Sequence, residues 1–211
     1  MFKRRDPKTW LRTFVEFIYP RGGWKRAASY VGHRLRRLPD PPHRIARGIA
    51  AGVFVCFTPY FGFHFFLAAG LAWVMQGNVV AALLATFFGN PLTFPIIAAI
   101  SLELGQWMLG TPNVGPLPDV FAQFGRASAE LWHNITAMFT SDVAHWDRLG
   151  RFFWRVMWPY TVGGIIPGIF ISVGCYMLAL PAVSAYQRRR VSKLKERYEK
   201  RILTKKSDPE S

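Results

Sequence analysis

Two prolines, Pro59 and Pro91, interrupt an apolar stretch that runs from Ile45 to Leu109. About 20 apolar residues suffice to cross a bilayer. This stretch is far longer, so it crosses or dips more than once. It contains one carboxylate, Glu103, and one histidine, His64. Within lipid every backbone polar group must find a partner inside the protein, which restricts an apolar chain of this kind to helices. Proline removes a backbone donor and clashes with the preceding turn. Each break must therefore be buried in protein or line a polar cavity. The expected class is an all-α integral membrane protein whose membrane region holds two helix–break–helix units, broken or re-entrant.

The first unit covers residues 44–76. Ile45–Phe57 reads as a half-length helix, Thr58-Pro59-Tyr60-Phe61-Gly62 as its break, and His64–Met75 as a second half-helix. Thirteen residues rise only about 20 Å, less than the hydrocarbon core. Gln76-Gly77-Asn78 is a turn, and residues 78–109 repeat the pattern. Val79–Gly89 is a half-helix, Asn90-Pro91-Leu92-Thr93-Phe94-Pro95 a break, and Ile96–Leu109 a half-helix. Pro59 and Pro91 stand 32 residues apart, each preceded by a small polar residue and followed at short range by phenylalanine. This reads as a degenerate duplication.

Charge separates membrane apposition from nucleic-acid binding. The chain has a formal net charge of +15. Residues 1–47 hold 13 Lys/Arg against 3 Asp/Glu, residues 187–211 hold 10 against 4, and residues 110–158 hold 4 against 4. Positive charge at both ends of the apolar region is the pattern of cytoplasmic segments next to anionic head groups. Arg44, Arg47, Arg188, Arg189 and Arg190 are the candidate head-group contacts. No nucleic-acid motif accompanies the charge. The first 20 residues do not read as a signal peptide, because Arg12 and Glu16 interrupt the apolar part.

Residues 1–43 form a basic amphipathic arm. A short helix over 1–19 is expected from Trp10, Leu11, Phe14, Val15 and Ile18, and a second over Trp24–Leu38. Residues 44–186 form the membrane domain. Within it, Thr111–Asp119 is a loop, and residues 111–158 as a whole form an amphipathic surface segment without a spanning run. Pro159–Tyr186 is long enough to cross once and is expected to kink at Gly163-Gly164, Pro167 and Gly168. Residues 187–211 form a basic cytoplasmic tail, with Val191, Leu194, Tyr198 and Ile202 on one side of a helix. Both termini on the cytoplasmic side require an even number of crossings. With Pro159–Tyr186 crossing once, one broken unit crosses and the other re-enters.

The polar residues within the apolar region are the candidate site. Thr58, Pro59, His64, Asn90, Pro91, Thr93 and Glu103 are candidate pathway or substrate contacts, because ionisable groups in spans are costly and paired broken helices frame midplane sites in transporters. The competing reading is structural: Thr58 and Asn90 satisfy backbone freed by proline, and His64 caps a half-helix. No catalytic motif, metal-ligand pattern or cofactor motif is present. Cys56 and Cys175 read as small buried hydrophobes.

The stretch RIARGIAAGVFVCFTPYFGFHFFLAAGLAWVMQGNVVAALLATFFGNPLTFP resembles the bacterial membrane family known as domain of unknown function 2062. The similarity is carried by Arg47-Gly48, by Phe57-Thr58-Pro59-Tyr60-Phe61-Gly62-Phe63-His64, by Gly77-Asn78 and by Asn90-Pro91-Leu92-Thr93-Phe94-Pro95. The resemblance implies a class of bacterial inner-membrane protein and no mechanism. The residues point to transport or translocation of a small molecule or lipid through the paired breaks. The alternative is a non-transporting scaffold for envelope lipid- or glycan-building enzymes, with homo-oligomerisation expected from the small size. A lipid-modifying enzyme using His64 and Glu103 as an acid/base pair is a third reading.

Overall fold

A computed structural model describes residues 23–36, 38–140 and 143–207. The helix expected over residues 1–19 lies outside them. The described chain is all-α, with no strand among the described residues. Its helices are α1 (Gly23–Arg36), α2 (Pro42–Val55), α3 (His64–Val74), α4 (Val79–Ala85), α5 (Phe94–Leu109), α6 (Leu117–Ala137), α7 (Asp147–Phe152) and α8 (Trp158–Ser207). A 3₁₀ turn, Thr86–Phe88, extends α4, and a π-helical turn, Phe153–Met157, joins α7 to α8. The chain divides into two compact units, Pro41–Leu180 and the described parts of Met1–Asp40 with Pro181–Ser211.

In the larger unit α2 is central, and its sequence explains why. Gly48 and Gly52 lie one turn apart on one face. A Cβ on Gly48 would collide with the Asn78 carbonyl, and one on Gly52 with the Ala82 carbonyl. Small residues at this spacing let two helix backbones approach closely where lipid supplies no hydrophobic drive. The pairs 48/78 and 52/82 advance together, so α4 runs parallel to α2. The pairing extends to Cys56, whose Sγ donates to Thr86 O at 3.4 Å. The two breaks that follow therefore lie at the same level.

The return paths differ. α3 folds back along α2, and Ala51, Val55, Ala68, Ala72 and Ala82 form a small-residue core between α2, α3 and α4. At the end of α3 the chain regains the start of α2, where Asn78 N donates to Arg44 O at 2.8 Å. Asn78 also caps α4, accepting from Ala81 N at 2.6 Å. α5 instead packs on α8 with opposite sense. Gly163 abuts Gly105 and the Ser101 carbonyl, and a Cβ on Gly105 would enter the Pro159 carbonyl. Further along, α8 runs antiparallel to α2: Gly164 lies over the Phe57 carbonyl and Gly168 against Phe54 and Phe57. Tyr176 Oη reaches His43 Nδ1 at 3.1 Å.

α8 departs from expectation in one respect. It is a single 50-residue helix through Gly163-Gly164, Pro167 and Gly168, and it includes the basic segment after Tyr186. Gly163, Gly164 and Gly168 serve close approach to α5 and α2. The helical run Asp147–Lys200, which includes most of α8, is the one among the described residues that is long and apolar enough to cross a membrane, and only 11% of its most apolar window is buried inside the protein. The core helix of a soluble protein would be mostly buried, so this exposure favours lipid contact. α3 agrees: it is apolar all round, only Ala68 and Ala72 are buried, and Trp73 is 77% exposed. The protein thus carries a membrane-spanning helix candidate and a broad exposed apolar surface.

α6 and α7 form a hairpin on this frame. Ala98, Leu102, Val120, Ala127, Phe152, Val156 and Tyr160 make its core with α5 and α8. Asn134 locks it. Its side chain is fully buried, donates to His145 O, and accepts from His145 N at 3.0 Å. A buried amide holding two backbone groups leaves both orphaned when removed. Asn134→Ala is expected to destabilise the hairpin by about 2–3 kcal/mol, read as a lower unfolding midpoint in detergent. An unchanged midpoint would show that water replaces the side chain.

In the smaller unit, α1 is a basic helix as expected, with Arg34 Nε donating to Tyr30 Oη at 3.1 Å. Gln187 Nε2 donates to Asp40 O at 2.9 Å. Val191, Leu194, Tyr198 and Ile202 are all exposed.

Candidate functional site: the junction of the two breaks

Both breaks are non-helical where the prolines place them. Residues 58–62 are irregular, and so are residues 89–93. The second is shorter than expected, because Phe94 and Pro95 already belong to α5. Proline is tolerated in a first helical turn, where its missing N–H would have no partner anyway.

In the first break Thr58 turns back on α2. Its Oγ1 donates to Val55 O at 2.8 Å. Thr58 O in turn faces His64 Nε2 at 3.0 Å, so His64 bridges the end of one half-helix and the start of the next. Pro59 is buried. In the second break Asn90 and Thr93 serve each other's backbone. Asn90 Oδ1 accepts from Leu92 N at 2.9 Å and Thr93 N at 3.1 Å. Thr93 Oγ1 accepts from Asn90 N at 3.1 Å and donates to Phe88 O. Asn90 O then receives Phe94 N at 2.8 Å, which starts α5. Pro91 is exposed. These are the bonds a broken helix needs, since its ends leave backbone groups unpaired.

The two breaks meet. Phe61 and Phe94 pack edge to face at 4.7 Å between ring centroids. The single thiol proton of Cys56 is within reach of both Gly52 O at 3.3 Å and Thr86 O at 3.4 Å, which ties the levels together. Between them lies a cavity of about 170 Å³, lined by Cys56, Phe61, Gly62, His64, Phe65, Thr86, Gly89 and Phe94. Its walls are mostly apolar, and His64 is the one titratable group besides Cys56. The chemistry it suits is an apolar or amphiphilic group passing a hydrogen-bonding imidazole.

Glu103 is not part of this junction. It is exposed on α5 and lines a separate cavity with Gln106, Asn113 and Gly115. Arg44 is exposed at the start of α2, and Arg47, half-buried, lies beside the Gly77 turn. Arg188, Arg189 and Arg190 are exposed.

Three features escaped the sequence reading. The Gly48/Gly52 pair was legible in its one-turn spacing. The aromatic contacts were not: Phe61 also packs on Phe124 at 5.0 Å, and Phe124 on Phe152 at 4.6 Å, joining residues far apart in the chain. The third is a concavity between α6 and α7, lined by arginines, whose signal was the spacing of Arg148, Arg151 and Arg155.

A family model described as "Uncharacterized protein conserved in bacteria (DUF2062)" matches residues 25–192. No curated protein and no solved structure matches the chain.

Proposed function

The chain belongs to this uncharacterised bacterial family, DUF2062, and on that premise we propose that it is a multi-pass protein of the bacterial inner membrane that translocates a lipid or other small amphiphile past its paired breaks. One observation carries the reading. Two interruptions, one from each helix–break–helix unit, converge at one level on a shared, mostly apolar cavity. Irregular backbone at membrane depth survives where it lines such a space, and paired broken helices recur at transport sites. In this reading Thr58, Pro59, His64, Asn90, Pro91 and Thr93 shape the pathway, chiefly by holding the breaks open. Glu103 lines a different cavity and stands apart from this pathway. Arg44, Arg47, Arg188, Arg189 and Arg190 meet anionic head groups on the cytoplasmic side.

The packing supports a definite topology. α2 and α3 rise only about 21 and 17 Å, and the chain regains Arg44 at Asn78. That suits a re-entrant hairpin entered from the cytoplasmic side. α4, its 3₁₀ turn and α5 together rise about 35–40 Å, enough to cross. α8 then crosses back, and the charge bias puts both termini in the cytoplasm.

Reconstituted vesicles test the function. Phospholipid with a fluorescent head group is placed in both leaflets and an impermeant reductant is added outside. Vesicles with protein are expected to lose the inner-leaflet signal as well as the outer. Phe65→Trp, which narrows the cavity mouth, is expected to slow that second phase at least threefold. Loss of the outer-leaflet signal alone, with folded protein present, would refute translocation.

A scaffold role is favoured by a different observation, the exposed apolar row Val191, Leu194, Tyr198 and Ile202 on a basic helix. Such a row suits a second copy of the chain or an envelope enzyme as partner. Leu194→Ser with Tyr198→Ser separates the readings: a scaffold loses its role in cells, and a translocator keeps transit in vesicles.

A further inference from the structure

We propose that the groove between α6 and α7 is a binding site for phosphate-bearing head groups. The groove encloses about 690 Å³ and is lined by Gln123, Arg126, Arg148, Arg151, Phe152 and Arg155, with buried Ala127 behind them. Arg148, Arg151 and Arg155 fall on one side of α7 and the π-helical turn, at offsets of three and seven. Arg126 faces them from α6. All four cations of residues 110–158, which the sequence shows as a charge-balanced region, thus converge on one concavity. No carboxylate lines this groove. Glu130 and Asp147 line an adjoining cavity on the far side of Arg126, Arg148 and Arg151, and Glu130 Oε1 accepts from Arg148 N at 3.2 Å. No ion pair or side-chain hydrogen bond holds any of the four guanidiniums among the described residues.

Four like charges gathered on a concave wall repel one another, and a bound polyanion relieves that repulsion. A concave wall of one sign also focuses its field on small ions. The residue type narrows the ligand. Region 110–158 contains no lysine, whereas the tail after residue 187 is rich in it. A guanidinium presents a planar fork that takes two oxygens of a phosphate, which an ammonium does not. The floor is prearranged: Asn134 closes the hairpin, and Phe152 is held edge to face by Phe124 at 4.6 Å.

Placement favours a lipid head group over free phosphate. Trp154 and Trp158, on either side of Arg155 in the chain, are exposed where α8 begins its apolar run. Exposed tryptophans at such a point mark the head-group level of a bilayer. Under the topology proposed above this is the non-cytoplasmic face, where the positive-inside bias disfavours arginine. Phe124 also touches Phe61 at the break cavity, so the groove leads by contact to the junction. Its role as a loading site for translocation rests on that reading, and the binding itself does not.

Full-length protein in detergent tests the binding, with the fluorescence of the nearby tryptophans as reporter. Short-chain phosphatidic acid is expected to give a saturable change, and the diacylglycerol with the same chains none. Arg126→Gln with Arg151→Gln is expected to weaken binding at least tenfold. Arg126→Lys with Arg151→Lys is expected to weaken it less, while Lys193→Gln with Lys195→Gln leaves it intact. Inorganic phosphate displacing the lipid only at much higher concentration identifies the head group as the ligand. Displacement at equal concentration identifies free phosphate. Equal binding of diacylglycerol, or unaltered binding by a folded glutamine double variant, overturns the site. Binding without transit in vesicles refutes translocation alone, and transit with unaltered binding by the glutamine variant refutes this site alone.

Discussion

Gly105→Ala and Gly163→Ala are each expected to abolish a stably folded, monodisperse protein. At this crossing α5 and α8 touch backbone to backbone. A methyl on Gly105 would occupy the position of the Pro159 carbonyl, and one on Gly163 the positions of the Ser101 carbonyl and the Gly105 amide. No side chain can rotate away, so the helices themselves must part. Parting them strips Leu102 and Tyr160 from their shared core. Ordinary overpacking costs about 1–3 kcal/mol, and a backbone collision is expected to exceed that range. Gly125→Ala and Gly174→Ala are the controls, since nothing lies within 4 Å of a Cβ at either. They are expected to be neutral or to gain up to about 1 kcal/mol from helix propensity. Size exclusion and thermal unfolding in detergent read both pairs. If Gly105→Ala and Gly163→Ala unfold like the controls, the two glycines act as hinges and the close crossing is absent.

Asn113→Cys is expected to label from outside intact cells, while Ser29→Cys and Ser192→Cys stay protected until lysis. Each is placed singly in a background with Cys56 and Cys175 replaced by alanine. All three positions are exposed on the protein, so protection reports the membrane and not burial. The outcome is close to all-or-none because an impermeant reagent does not cross the bilayer. Asn113 follows α5 and precedes α6, so its side follows from how many times the two broken units cross. Under the proposed topology the hairpin closed by Asn78 N on Arg44 O contributes none, and α4 with α5 contributes one. Labelling at Ser29 or Ser192 in intact cells would overturn the cytoplasmic placement of the ends. Protection at Asn113 would show that both units re-enter or both cross, and would move the arginine groove to the cytoplasmic face.

The sequence alone determined the class and the positions of the breaks. A 65-residue apolar stretch leaves helices as the workable backbone, and proline at 59 and 91 must interrupt them whatever surrounds it. The short helices, the turn at Gly77-Asn78 and the family resemblance follow from the same local rules. Local rules say nothing about direction after a break. The two units look alike in sequence, yet α3 returns along α2 while α5 continues onto α8. That difference is made by Gly105 and Gly163, whose missing side chains count only when the helices meet. The same holds at the candidate sites. Asn90 and Thr93 read as rare polar groups near lipid, and the fold engages them in backbone hydrogen bonds. Arg126, Arg148, Arg151 and Arg155 read as part of a neutral region, and the fold collects them on one wall. Net charge is a sum over the chain, whereas a field at a groove depends on which side chains the packing brings within reach of one another.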